Sequence, residues 1–174
     1  MRKIFTGVLI LCSLAMFLAL MPVLQAGAAD TETFVNKSPH FTLTVPMWSK
    51  SSNSRNPNSI LRKTYDPNEV TTFDVAVADL PEGSSYKNSV KNTIEFLEDK
   101  YNASNFETLY EREIKLKDGT PAYEQEVKWR HPAILLYTYQ LTVFKDKKMI
   151  TVSVTSDSKI SDKLKEIPMS LTFK

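Results

Sequence analysis

Two histidines are the residues of this sequence best suited to bind a metal ion or to transfer protons near neutral pH. His40 and His131 each stand beside a proline, so both are predicted to lie in turns. A metal site would combine them with carboxylates such as Asp74 or Glu126. No H-x-H or H-E-x-x-H spacing supports such a site, so the two histidines are weak candidate ligands.

Catalytic arrangements are equally weak. A serine hydrolase of the α/β class would need a G-x-S-x-G elbow, which the sequence lacks. Paired carboxylates for glycoside hydrolysis could be Glu111 with Glu126, or Glu124 with Glu126. Such pairs also arise by default at neighbouring outward positions of adjacent strands. After residue 30 the glycines are Gly83 and Gly119, too few for a phosphate-binding loop, so we expect no enzyme and no cofactor.

An aromatic group offers a different function. Trp129, Tyr137 and Tyr139 are predicted to lie on the inward faces of two adjacent strands, and Trp48 follows an earlier strand. The group either fills the core or lines an apolar pocket between sheet and helix, where tyrosine hydroxyls would orient a small ligand. The candidate ligand-binding residues are therefore Trp48, Trp129, Tyr137 and Tyr139.

A polar face is predicted on the other side of the same strands. The pattern is typical of a solvated sheet surface with cross-strand charge pairs, and the alternative is a polar binding platform for a protein or the envelope surface. Its members are Glu111, Glu113, Lys115, Glu124, Glu126, Lys128, Arg130, Thr138, Gln140, Thr142, Thr151, Ser153 and Thr155.

The N-terminal segment has the pattern of a secretory signal peptide over residues 1–28. Arg2 and Lys3 precede an uncharged apolar run, and small residues end it at a site where cleavage after Ala28 fits best. The protein is therefore predicted to be exported, periplasmic or extracellular, with one domain over 29–174. An uncleaved anchor in the inner membrane stays open because the run is long enough to span a bilayer.

Charge and cysteine content narrow the classes of partner. The chain has 22 basic and 20 acidic side chains, and Arg2 and Lys3 account for the whole excess. A neutral domain argues against nucleic-acid binding, which needs a basic surface. The single cysteine, Cys12, lies within the signal, and it also allows a lipid-modified form as an alternative. After cleavage the domain would contain no thiol. We expect it to be a monomer whose partner is an envelope protein or a small apolar ligand.

The elements that would position these residues are mostly strands. Alternating apolar and polar residues predict strands, and Asp118-Gly119 predicts a tight hairpin turn. Asp66 to Glu69 predicts another turn. The predicted strands lie near residues 41–45, 61–65, 73–77, 106–117, 123–130, 133–144, 150–155 and 169–173.

Two helices are predicted among the strands. Val90, Ile94, Leu97 and Tyr101 share one face of a helix over 86–101, which Ser84 or Ser85 can cap and Asn102 can end. A shorter helix over 158–166 is predicted to stop before Pro168. The order indicates an α+β fold, an antiparallel sheet flanked by helices.

Short motifs carry a resemblance to a known family. Phe41-Thr-Leu-Thr-Val-Pro46-Met-Trp48 resembles the F-x-(I/L)-x-x-P-x-x-W opening of the PsbP-like superfamily, with one residue fewer between proline and tryptophan. Asp118-Gly119-Thr120-Pro121-Ala122 resembles its (D/N)-G-x-P-A hairpin, and Ile167-Pro168-Met169-Ser170-Leu171 resembles its closing I-x-x-S-(L/F) segment. This resemblance covers nearly all of residues 32–174.

The resemblance implies a fold and a broad class of function. The superfamily includes PsbP, the Ran-binding factor Mog and DcrB-type periplasmic proteins, and it implies an α/β/α sandwich built on an antiparallel sheet. Its members act mainly in binding or assembly, and no catalytic residues are carried over. We therefore expect an exported, non-enzymatic binding or accessory protein of the bacterial cell envelope, or alternatively a small-ligand carrier.

Overall fold

The computed structural model describes residues 31–47, 50–64 and 70–174. The predicted signal peptide with Cys12, the predicted turn at 66–69 and Trp48 lie outside the described residues. Ten strands and two α-helices make up the described chain: β1 (Thr31–Lys37), β2 (His40–Pro46), β3 (Lys50–Ser51), β4 (Ser59–Thr64), β5 (Thr72–Asp79), α1 (Ser89–Tyr101), β6 (Ser104–Lys115), β7 (Pro121–His131), β8 (Ile134–Lys145), β9 (Lys148–Ser156), α2 (Asp162–Met169) and β10 (Thr172–Phe173).

The strands form two sheets in which all pairings are antiparallel. The larger sheet has the order β3-β4-β5-β9-β8-β7-β6, and the smaller one has the order β1-β2-β10. Strands β6 to β9 run as successive hairpins and β9 pairs with β5, so three strands separate β5 from β6. The connection from β5 to β6 contains α1 and crosses the sheet, so one face of the sheet lies beneath this helix. The predicted α+β class with an antiparallel sheet is confirmed.

The hydrophobic core lies on the opposite face of the larger sheet. There, β2 and α2 pack against the inward side chains of β5, β8 and β9. Predicted inward sets such as Phe73 with Val75 are at most 1% exposed. The buried members of this core are Phe41, Leu43, Val45, Phe73, Val75, Leu116, Ala122, Tyr139, Leu141, Val143, Ile150, Val152, Val154, Ile160 and Leu171.

Individual turn residues explain the hairpin between β6 and β7 and the end of α1. Gly119 has a φ of +83° in the hairpin between β6 and β7, and Asp118 accepts backbone N–H bonds from Thr120 at 2.9 Å and Phe173 at 2.7 Å. These bonds outweigh the opposing effect of desolvation and lower the pKa of Asp118. Asn102 ends α1 in the left-handed conformation at φ 52°, as predicted.

The C-terminal elements differ from the prediction. Helix α2 continues through Pro168, and the final strand shortens to β10. Ser170, the residue after the helix, donates from its hydroxyl to the Ile167 carbonyl at 2.7 Å and so caps the C-terminal end of α2. Strand β1 was not predicted, because its residues are mostly exposed and show no apolar inward set.

Strand β7 places its carboxylates in the core, which corrects the prediction that they face solvent. Glu124 and Glu126 are 5% and 1% exposed and lie opposite Leu141 and Tyr139. Glu124 accepts from the Tyr139 hydroxyl at 2.7 Å and also pairs with Arg112.

A lysine from α2 balances the second buried carboxylate. Lys165 Nζ lies 2.7 Å from the Glu126 carboxylate and 5.0 Å from the centre of the Tyr110 ring. Buried charges are tolerated when they are paired, and each of the two carboxylates has a cationic partner, although Glu126 Oε1 is buried without a hydrogen bond among the described residues.

Replacing Lys165→Met leaves the Glu126 carboxylate buried without its cation. We expect the free energy of unfolding to fall by about 3 kcal/mol, because breaking a buried ion pair from one side exposes the remaining charge to an apolar surrounding. Chemical denaturation measures this loss. Lys163→Met, at an exposed position of α2, is the matched control. A double variant Glu126→Gln/Lys165→Met that loses as much as the single variant contradicts this explanation.

The same network predicts a loss of stability at alkaline pH. Burial and the bond to Glu124 raise the pKa of Tyr139, and burial raises the pKa of Tyr110. Desolvation lowers the pKa of Lys165, but its bonds to Glu126 and Tyr110 outweigh this and raise it overall.

These raised pKa values mean that the unfolded chain releases protons near pH 10 that the folded protein still holds. The free energy of unfolding should therefore decrease as pH rises above about 10. Urea titrations at several pH values measure the slope of the free energy of unfolding against pH. Tyr139→Phe should make that slope less steep. Tyr137→Phe, two residues away on the same strand, is the control. Equal slopes for Tyr139→Phe and the unmodified protein would show that Tyr139 is not a source of the effect.

Candidate functional site

A cavity lies between α1 and the larger sheet. Its volume is about 600 Å³, within the range typical of sites that enclose a small organic molecule. The cavity follows directly from the topology, because α1 spans the sheet from β5 to β6 above the strands between them. Strands β4, β5, β7, β8 and β9, helix α1 and the loop before β4 all contribute to its lining.

The floor of the cavity is a ladder of polar side chains on β8 and β9. Successive residues on one face of each strand meet in three cross-strand pairs, five of whose six members carry hydroxyls. All six line the cavity. The pairs are Thr138 with Thr155, Gln140 with Ser153, and Thr142 with Thr151. We call these six residues the hydroxyl ladder.

Hydrogen bonds orient one end of the hydroxyl ladder. The Trp129 indole donates from Nε1 to the Thr138 hydroxyl at 2.9 Å, and the Thr138 and Thr155 hydroxyls lie 2.9 Å apart. Indole is only a donor, whereas a hydroxyl can both accept and donate. Thr138 can therefore accept from Trp129 and donate to Thr155, which leaves the Thr155 hydrogen available to the cavity.

Helix α1 forms the roof with polar as well as apolar residues. Its buried positions are Ser89, Thr93 and Leu97, so the buried stripe differs from the predicted one, of which Leu97 alone is fully buried. The Thr93 hydroxyl accepts from the side-chain amides of Gln125 at 2.7 Å and Gln140 at 3.1 Å. Polar residues can face the sheet here because the sheet offers them hydrogen-bonding partners.

Charged groups line the side of the cavity formed by β4 and β5. Arg62 and Asp74 form an ion pair at 3.6 Å, with side chains 18% and 13% exposed. Asp74 also accepts from the Ser59 hydroxyl at 2.9 Å, and Arg62 donates to the Tyr101 hydroxyl at 3.4 Å. Lys100 also lines the cavity, and its Nζ lies 2.7 Å from the Asp99 carboxylate. Each of these two cations has a carboxylate partner, so the lining supplies directed hydrogen-bonding groups with little net charge.

Apolar side chains complete the walls. On the β7 side, Leu97, Trp129 and Leu136 pack together with Phe96, and Tyr101 lies 6.2 Å from Trp129 between ring centres. Near the hairpin between β8 and β9, Phe144 and Met149 also line the cavity. The site thus combines a hydroxyl floor with apolar walls.

The structure does not bring the four predicted ligand-binding residues together. Trp129 lines the cavity, but Tyr137 and Tyr139 point to the opposite face of the sheet, and Trp48 lies outside the described residues. The prediction of a common face is wrong because Trp129 lies opposite Leu136 in the register of β7 and β8. Side chains alternate along a strand, so Tyr137 belongs to the other face.

The two histidines are also apart. His131 lines the cavity at the end of β7, whereas His40 is exposed at the start of β2 in the smaller sheet. Within the described ranges, no three His, Cys, Asp or Glu side chains cluster closely enough to hold a metal. Of the helices in the part of the chain described, none is long and apolar enough to cross a membrane.

The sequence showed the hydroxyl ladder but not its place. The alternating pattern places its six residues on a polar face and favours a face exposed to solvent. The missing information was the pairing of β5 with β9, which sends α1 across that face. One signal in the sequence could have indicated a covered polar face. Ser89 and Thr93 are one helical turn apart in α1, so they form a polar stripe that can face a polar sheet surface.

Comparisons with known proteins reveal similarity in structure. No protein-family model and no curated protein matches the sequence. The solution structure of cyanobacterial PsbP (CyanoP) from Synechocystis sp. PCC 6803 aligns with a TM-score of 0.67 and 11% identity, over 86% of this chain and 96% of that one. The Saccharomyces cerevisiae Ran-binding protein Mog1p aligns with a TM-score of 0.58 and 9% identity, over 84% and 96%.

Both alignments extend over most of each chain although the sequence identity is low, so the similarity is one of backbone fold. The two aligned proteins are a PsbP and Mog1p, which represent two of the kinds of protein in the superfamily that the short motifs resemble. The described part of this chain therefore has the PsbP-like fold.

Proposed function

We propose that this protein is an exported, non-enzymatic binding protein that holds one small uncharged molecule in the cavity beneath α1. The observation that carries the proposal is the cavity itself, about 600 Å³ in volume and floored by the hydroxyl ladder. Sites for small molecules are concave and mostly apolar, with a few convergent polar groups that fix orientation.

The chemistry of the lining supports binding without catalysis. Asp74 is the carboxylate among the described lining residues, and it is already engaged by Arg62 and Ser59. General acid–base catalysis needs a titratable group within reach of the reacting atoms and free to exchange a proton. His131 is a second titratable group in the lining, so the proposal of binding without catalysis rests on the hydroxyl floor, which suits reversible hydrogen bonding.

Export is proposed from the sequence. Arg2 and Lys3 before an apolar run that ends in small residues are typical of a secretory signal. The domain that follows contains no cysteine, so export would place no free thiol of this domain in an oxidising compartment. A periplasmic or extracellular carrier would collect its ligand there.

A protein partner in the cell envelope is the second candidate. It is supported by the similarity in fold to Mog1p, which is a Ran-binding protein. Such a partner would bind an outer surface of the domain and would tolerate a blocked cavity. The two candidates therefore respond differently to a bulky residue placed on the cavity floor.

Trp129 supplies an intrinsic reporter for the cavity. The chain has two tryptophans, so the variant Trp48→Phe leaves Trp129 as the single tryptophan. We expect its fluorescence to change on titration with at least one of three uncharged probes, maltose, decanol or a capped dialanine, because Trp129 lines the cavity. In the same background, Ser153→Phe should weaken that binding at least tenfold by filling space above β9.

The matched control is Thr33→Phe, at an exposed position of β1 in the smaller sheet. It should bind as tightly as the parent, and the thermal midpoints of both variants show whether they are folded. An unchanged response to all three probes, or equal binding by folded Ser153→Phe, contradicts a ligand site in this cavity. If an envelope partner is then captured by the folded Ser153→Phe protein, the second candidate replaces the first.

A further inference from the structure

We propose that the ligand of the cavity is a neutral saccharide of one or two sugar units. This inference rests on the proposed function and names the chemical class that the same site selects. A sugar carries hydroxyls around its edge and C–H groups on its ring faces. It therefore needs a site that offers closely spaced donors and acceptors on one side and apolar surface on another.

The hydroxyl ladder supplies the first requirement. Its cross-strand pairs lie at successive same-face positions of β8 and β9, roughly 5 Å apart across the strands and about 7 Å apart along them. A threonine or serine hydroxyl rotates and can donate or accept. Such a floor matches a ligand whose own groups are hydroxyls, each both donor and acceptor.

The free capacity of the ladder strengthens the match. Thr138 is engaged by Trp129 and Thr155, and Gln140 donates to Thr93 at 3.1 Å and to Thr142 at 3.2 Å. After these bonds, the Thr155 hydrogen and the Gln140 carbonyl oxygen still have bonding capacity. A purely apolar ligand would cover such groups without replacing their bonds to water, which is unfavourable.

The ion pair beside the ladder favours a neutral ligand. Arg62 contacts Asp74 and the Tyr101 hydroxyl through one nitrogen, Nη1, so its other N–H groups can bind sugar oxygens. Asp74 can likewise accept a sugar hydroxyl, and hydrogen bonds to charged groups are stronger than neutral ones. The two adjacent opposite charges largely cancel, so neither an anionic nor a cationic ligand gains a net attraction from the pair.

The apolar walls meet the second requirement. Phe96 on α1 and Phe144 on β8 are half-buried and line the cavity, together with Trp129. Aromatic side chains offer broad apolar surface for the C–H faces of a ring. Phe96 on α1 and Trp129 on β7 lie on elements other than the two strands of the floor, so a flat ligand can contact apolar wall and hydroxyl floor at once.

The test is calorimetric titration of the full chain carrying Trp48→Phe with four probes: maltose, N-acetylglucosamine, glucuronate and decanol. We expect at least one of the neutral sugars to bind and to bind at least tenfold more tightly than glucuronate. The double variant Thr151→Val/Ser153→Ala removes two ladder hydroxyls with little change in volume. It should weaken sugar binding at least tenfold and strengthen the binding of decanol.

Thr33→Val, which removes an exposed hydroxyl from β1, is the control and should leave sugar binding unchanged. Binding of decanol with no binding of either sugar overturns the saccharide proposal while the proposed ligand cavity stands. Unchanged sugar affinity in the folded double variant overturns it as well. If neither the four probes nor capped dialanine binds, the saccharide proposal and the proposed function fail together.

Discussion

The architecture depends on the pairing of β5 with β9. Eight residue pairs join these strands, from Thr72 opposite Thr155 to Asp79 opposite Lys148. Because β9 occupies the place beside β5, the chain must cross the sheet to begin β6 at the far side. Helix α1 makes that crossing, and the face beneath it becomes the wall of a cavity.

Each face of the larger sheet is consequently covered in a different way. The face toward α2 is close-packed, with Tyr139, Leu141 and Val152 fully buried. The face toward α1 keeps open volume, since a single helix of 13 residues spans several strands. Hydroxyl groups are compatible with that open face because a ligand or solvent can bond to them there, whereas unpaired in the core they would be destabilising.

Much of the strand pattern could be predicted from the sequence because strands that cover a core alternate strictly. The inward residues of β5, β8 and β9, the turn at Gly119 and the left-handed Asn102 follow from local rules. Strand β7 does not follow the rule that the apolar face of a strand covers the core. Its core face carries Glu124 and Glu126, and its other face carries the apolar Val127 and Trp129.

The reason is that partners distant in sequence decide which face of β7 is inward. Lys165 from α2 and Arg112 from β6 form ion pairs with the carboxylates, and these pairs cannot be predicted from the hydropathy pattern of β7. The candidate site was hidden for the same reason. The ladder residues were visible as an alternating polar set, but the helix above them is placed by long-range strand order.

The central claim is that the hydroxyl ladder faces a ligand cavity. Methyl NMR of threonine-labelled protein tests it most directly, with maltose and then decanol as probes, because ladder threonines and exposed threonines report separately. The account predicts that Thr138, Thr142, Thr151 and Thr155 shift with at least one probe while Thr33 and Thr108, exposed on β1 and β6, stay in place. Shifts confined to Thr33 and Thr108, or no shift with either probe, would contradict it.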